Sequence, residues 1–150
     1  MTKGPARAFT LVELLVVIAI LGILISLVTA GAQTARRRGT ITKGKATIAA
    51  LETAIAMYHG DLGAYPPTGN AGLVSALSVD PDDLDWMGPY MEFKQDELDA
   101  DELVDPWGHA YVYVSVNGGS PRHRQRSYDL YSLGPNGDDE DGVGDDIVNW

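Results

Sequence analysis

The sequence predicts an α+β protein. One long N-terminal α-helix, apolar through its first half, packs through its second half on a small antiparallel β-sheet, and an acidic loop follows near the C-terminus. Three observations predict this. Phe9–Val28 (FTLVELLVVIAILGILISLV) is a run of 20 residues with one charge, Glu13. Ile41, Ile48, Leu51, Ile55 and Tyr58 step by 7, 3, 4 and 3, which is one face of an α-helix. Tyr111–Val116 and Ser127–Leu133 alternate aromatic, β-branched and polar residues around the turn Asn117–Ser120, as paired strands do.

The apolar run comes first. At about 1.5 Å per residue it is roughly 30 Å long, the hydrocarbon thickness of a bilayer. Lys3 and Arg7 precede it, and Arg36, Arg37 and Arg38 follow. A secretory signal peptide has a shorter apolar core and then a small-residue cleavage site. Thr29–Ala35 (TAGAQTA) is the one stretch that imitates such a site. Within the span Glu13 is anomalous, because a carboxylate there costs about 2.5–3.5 kcal/mol and calls for a partner. It either reaches the interface, lying close to the end of the span, or pairs with a cation. Gly22 and Ser26 make a small-xxx-small pair of the kind that lets helices approach closely.

The helix continues from Ile41 to Tyr58, with Ala46, Ala49, Ala50, Ala54 and Ala56 supplying propensity. The expectation is one helix from about Phe9 to His59, with Ala30-Gly31 and Gly39 as weak points between its halves. Arg36–Arg38 form a basic collar, either a solvated stop to the span or a contact for lipid headgroups and acidic neighbours. Gly60, Gly63 and Pro66-Pro67 end the helix. Asn70–Ser78 suits a short second helix. Asp80–Asp105 reads as an acidic loop anchored by Tyr90, Met91 and Phe93, with its charge solvated or docked to a basic partner. Arg122, Arg124 and Arg126 lie between the two strands.

Charge and composition exclude several functions. In 150 residues there are 11 Lys+Arg, 21 Asp+Glu and no Cys, for a formal net charge of −10. Nucleic-acid binding needs a basic face and is not expected. Disulfides, thiolate nucleophiles and Cys-ligated metals are excluded. His59, His109 and His123 show no metal spacing, and there is no nucleophile-elbow, zincin or phosphate-loop motif, so no catalysis is expected. Asp129 and His109 can meet across the hairpin, an arrangement that is more often structural.

Residues 136–146 hold six acids, Asp138, Asp139, Glu140, Asp141, Asp145 and Asp146, with Gly137, Gly142 and Gly144 for tight turns. Hard oxygen donors at this density suit calcium, which takes 6–8 oxygens. The spacing is not that of an EF-hand. The other reading is a hydrated, disordered acidic tail, against which Ile147 and Trp150 offer apolar anchors to the head.

Arg7-Ala8-Phe9-Thr10-Leu11-Val12-Glu13-Leu14-Leu15 resembles the processing site of type IV pilins and pseudopilins. The resemblance implies a leader peptide, residues 1–8, cut by a prepilin peptidase between Ala8 and Phe9, and N-methylation of Phe9. Ala8 stands where the family usually has Gly, and Ala30 where related pilins often carry Pro. It implies a transmembrane and assembly helix, 9–35, and a periplasmic globular head, 36–150. It also implies that Glu13 meets the new amine of a neighbouring copy in a polymer, two groups that are each costly alone in an apolar setting.

Gly88-Pro89-Tyr90, Asp105-Pro106-Trp107-Gly108-His109-Ala110-Tyr111, and Tyr131–Gly137 with Asp145-Asp146-Ile147-Val148-Asn149-Trp150 resemble segments of the major pseudopilins of type II secretion. The resemblance implies calcium held by the carbonyls of Leu133 and Val143 and the side chains of Asn136, Asp138, Asp145 and Asp146. Asn136 replaces the family's usual Asp. It further implies a structural subunit of a periplasmic pseudopilus, made in the bacterial inner membrane as a single-pass protein. Its partners would be further copies, other pseudopilins, and an inner-membrane platform with its ATPase. The alternative is a pilin-like subunit of an adhesion, motility or DNA-uptake filament. A third class, a signal-anchored binding protein, would never polymerise.

Overall fold

The computed structural model describes residues 10–150, the side chains of 27–31 excepted. The leader 1–8, the Ala8–Phe9 bond and the Phe9 amine lie outside the described residues. Two compact units result, Met1–Arg38 and Gly39–Trp150. Helix α1 runs Leu11–Leu62 and contributes to both.

From Leu11 to Ile25, Glu13 apart, α1 is apolar on every side. Leu11, Leu14, Leu15, Ile18, Leu21 and Ile25 all stay at least half exposed. Such a helix needs lipid or other helices around it. A Cβ added at Gly22 would meet nothing within 4 Å, and the Ser26 hydroxyl turns back to donate to the Ile23 carbonyl at 2.8 Å. The small-residue pair therefore leaves a shallow spot on the helix surface. Among the described residues no helix is long and apolar enough to cross a membrane. Phe9 and the side chains of residues 27 and 28, which complete the apolar run, lie outside them.

The second unit is the head. The face predicted for α1 is the one that packs: Ile48, Leu51 and Ile55 are buried, with Ile41 and Tyr58 half-buried beside them. Helix α2, Asn70–Ser78, adds Leu73, Val74 and Leu77 to the same core. Strands β3 (Val112–Ser115), β4 (Tyr128–Ser132) and β5 (Ile147–Val148) form one antiparallel sheet in the order β3-β4-β5. Tyr113 pairs with Leu130, and Ser132 with Ile147. The aromatic–aliphatic interior of Tyr111, Tyr113, Tyr128 and Leu130 closes on the two helices.

Two elements depart from expectation. The acidic segment is not one loop: a 3-10 turn at Gln95–Glu97 leads into a hairpin of β1 (Leu98–Asp99) and β2 (Glu102–Leu103). Its turn residues Ala100 and Asp101 both have positive φ, a conformation that no Gly signals in the sequence. The hairpin is held from outside by Asn70. This buried amide donates to the Leu103 and Tyr111 carbonyls at 2.8 and 2.9 Å and accepts the Leu103 N–H at 2.8 Å. The second addition is β5, too short for alternation to reveal. It reaches α1 because residue 44 is Gly: a Cβ there would stand 3.0 Å from Ile147 Cδ1.

Candidate assembly surface and metal loop

Two places carry the predicted site residues. The first is the start of α1. Thr10 precedes the helix and Glu13 is its third residue, so Thr10-x-x-Glu13 forms a capping box. The Thr10 N–H and hydroxyl both donate to Glu13 Oε2 at 2.9 Å, and the Glu13 N–H donates to Thr10 Oγ1 at 3.2 Å. Glu13 thus has a local partner, which its isolation in the apolar run concealed. The Thr-x-x-Glu spacing was the signal that could have found it. The box fixes the carboxylate at the helix entrance, where the N-terminal dipole favours negative charge.

The second is the loop 133–146, closed at its base by the β4–β5 ladder. Its polypeptide folds around the acids. Asp145 Oδ2 accepts the Asn136 N–H at 3.2 Å, and Asp146 Oδ2 accepts the N–H groups of Glu140 and Gly142 at 3.2 and 2.9 Å. Glu140 Oε2 accepts the Asp145 N–H at 3.1 Å. The second oxygens, Asp145 Oδ1 and Asp146 Oδ1, are buried and have no hydrogen-bond partner. An unpaired buried acceptor costs about 1–3 kcal/mol, and more when charged. Adjacent residues that both leave one carboxylate oxygen uncompensated make a demand that a hard cation would meet.

The remaining predicted ligands are distributed less simply. Asn136 Oδ1 accepts the Asp138 N–H at 2.8 Å, and the Val143 carbonyl accepts the Asp146 N–H at 3.2 Å. Leu133 leaves β4 at the base of the loop, and Asp138 stays exposed on its rim. Among the described residues no three His, Asp or Glu side chains gather as a metal set. A cation here would depend on Asp145, Asp146 and neutral oxygens, the donor mix of carboxylate, amide and carbonyl that calcium accepts.

The other acids of the loop latch it to the head. Asp139 accepts the Tyr131 hydroxyl at 3.1 Å; burial first, and then this carboxylate, push that hydroxyl up to about 12. Asp141 faces Arg122 at 3.0 Å and His123 at 3.7 Å, and the His123 ring stacks on Trp150 at 4.0 Å. The basic segment between β3 and β4 is therefore the loop's counterpart, a pairing between residues distant in sequence. Its own turn is built by Asp129, whose carboxylate accepts the N–H groups of Arg122, His123 and Arg124 at 2.6–2.9 Å.

The predicted alternative of an Asp129–His109 contact is not realised. His109 Nδ1 lies 3.0 Å from the Gly134 carbonyl and 3.8 Å from buried Asp105. Asp105 Oδ1 accepts the N–H groups of Trp107 and His109, and Oδ2 accepts the Ser132 hydroxyl at 2.6 Å. The D-P-W-G turn thereby carries the base of the loop. Gly137 completes the fit with φ +74°, because a Cβ there would lie 2.7 Å from His109 Nε2.

Comparison with known proteins identifies the family of the chain. The family model "Type II secretion system (T2SS), protein G" matches residues 32–150, and "Prokaryotic N-terminal methylation motif" matches residues 4–29. The chain is 34% identical to the type II secretion system core protein G of Pseudomonas aeruginosa, over 100% of this chain and 99% of that protein. It is 39% identical to the core protein G of Escherichia coli (strain K12), over 96% of this chain and 90% of that one. A crystal structure of the major pseudopilin from the type 2 secretion system of enterohaemorrhagic Escherichia coli is similar in fold. Its TM-score is 0.50 at 28% identity, covering 79% of this chain and 92% of that chain. A capped apolar helix joined in sequence to an α+β head, with these matches over nearly its whole length, places the chain in the type II secretion system protein G family.

Proposed function

We infer that the chain is a structural subunit of a type II secretion pseudopilus and not an enzyme. The observation that carries this is the apolar surface of α1 from Leu11 to Ile25, far more than a lone soluble subunit leaves uncovered. In a polymer the helices of neighbouring copies cover it.

The prepilin peptidase cuts before Phe9, the Phe9 amine is methylated, and residues 9–35 anchor the subunit in the inner membrane with its head in the periplasm. The platform and its ATPase then extract subunits into the fibre. The capping box keeps Glu13 at the helix entrance, where the Phe9 amine of a neighbouring copy can pair with it and set the register between subunits. Calcium would be held by Asp145, Asp146, Asn136 and Asp138 with the carbonyls of Leu133 and Val143, and would supply the positive charge that the two orphaned oxygens lack.

Mass spectrometry of the protein purified from membranes tests the processing: a start at N-methyl-Phe9 is expected. A start beyond Val28 would sink the reading, since the assembly surface would be gone. Glu13→Leu is expected to abolish fibres while leaving the head's melting temperature unchanged. Fibres of normal length from this variant would remove Glu13 from assembly.

A further inference from the structure

The head carries an apolar knob and an apolar groove at different heights along α1. The knob is the loop after α2. Leu84 is fully exposed and Met87 is 79% exposed, among Asp82, Asp83 and Asp85. The loop is nonetheless firmly held. Trp86 Nε1 donates to the Ala76 carbonyl at 3.4 Å and stacks edge-on against Tyr90, whose hydroxyl donates to Asp61 at 2.9 Å. Apolar side chains displayed on an anchored loop are pre-organised to bind, because little freedom remains to be lost.

The groove is a cleft of about 250 Å³ lined by Ala46 and Ala50 of α1 and by Met91, Leu103 and Pro106. Lys43 stands in its lining, on a stretch of helix with five basic residues and no acid between Glu13 and Glu52. Glu97, the acid in the lining, is turned back to accept the Lys94 N–H at 3.2 Å. Thr47, also in the lining, donates its hydroxyl to the Lys43 carbonyl at 3.1 Å. Polarity and charge in the groove suit the knob: an apolar slot beside Lys43, for a leucine among aspartates.

The knob is tied to α1 at Asp61, and the groove is cut at residues 43–50. At about 1.5 Å per residue these levels are roughly 20 Å apart on one helix. Complementary patches at different heights make a heterologous contact, which repeats into an open filament and not a closed dimer.

We propose that the Leu84 knob of one copy seats in the Ala46–Ala50 groove of the next copy, with Asp82, Asp83 and Asp85 facing Lys43, as a head-to-head contact of the fibre. This rests on the pseudopilus reading above.

The absence of cysteine makes the test direct. Full-length Leu84→Cys and Ala50→Cys variants, distinguished by a size tag, are co-expressed in a secretion-competent bacterium, and sheared fibres are oxidised. A disulfide-linked heterodimer is expected, at least ten-fold above that of Leu84→Cys with Ala49→Cys, which is about 100° round the helix and lines a separate cleft. Leu84→Asp is expected to shorten fibres at least several-fold with no change in melting temperature, since Leu84 touches no core. Fibres that form normally without the 84–50 cross-link overturn the docking and leave the pseudopilus reading intact. Cross-linking of position 84 only to a different pseudopilin also overturns it. If the unmodified chain makes no fibre, the pseudopilus reading fails first and the docking with it.

Discussion

Asp146→Asn separates a cation ligand from a structural acceptor within one side chain. Asp146 Oδ2 holds two loop N–H groups, at 3.2 Å from Glu140 and 2.9 Å from Gly142, while Oδ1 is buried without a partner. Asparagine keeps the accepting oxygen and places its amide where the orphan stood. Without calcium the substitution should change the stability of the head (residues 39–150) by no more than about 1 kcal/mol, because it loses no hydrogen bond and removes an uncompensated charge. With calcium at about 100 times its dissociation constant the wild-type head gains about 2.7 kcal/mol. For a domain of this size that is about 10 °C in melting temperature. The assay is a thermal melt in chelator and in millimolar calcium, for wild type, Asp146→Asn and Asp141→Asn. Wild type and Asp141→Asn should shift, since Asp141 serves Arg122 and His123, and Asp146→Asn should not. An unmoved wild type, or a full shift in Asp146→Asn, refutes the reasoning.

Asn70→Ala removes three buried hydrogen bonds from α2 to β2 and to Tyr111, and should cost the head about 3–5 kcal/mol in urea unfolding; less than about 1 kcal/mol would show the hairpin is held elsewhere. Gly137→Ala puts a Cβ at positive φ and crowds the His109 ring, for about 2–3 kcal/mol from the two effects together. Combining it with His109→Ala should give a loss smaller than the sum of the two in a double-mutant cycle. Burial raises Tyr111 and Tyr128 to about 12. The folded head therefore holds protons that the unfolded chain releases near pH 10, so stability should be intact below pH 10 and fall between about pH 10 and 12. Each tyrosine contributes at most about 1.4 kcal/mol per pH unit. A flat profile across that window would contradict their burial.

Several features were legible in the chain because they depend on local periodicity. The packing face of α1, the second helix at Asn70–Ser78 and the β3–β4 hairpin follow from the spacing of apolar residues. The acidic hairpin β1–β2 was hidden because its support is one amide from α2, and its turn uses Ala100 and Asp101 at positive φ. Strand β5 was hidden because two residues carry no alternation, and its docking depends on a glycine a hundred residues earlier.

The sequence by itself determined the apolar first half of α1, the acidic C-terminal loop and the lack of any disulfide, since all three are matters of composition along a continuous stretch. Only the tertiary structure decided what the acids do. It gave Asp139 to Tyr131 and Asp141 to Arg122 and His123, and left one oxygen each of Asp145 and Asp146 without a partner. Six neighbouring carboxylates are alike in a string of letters. They acquire different roles only when folding brings different donors to each of them.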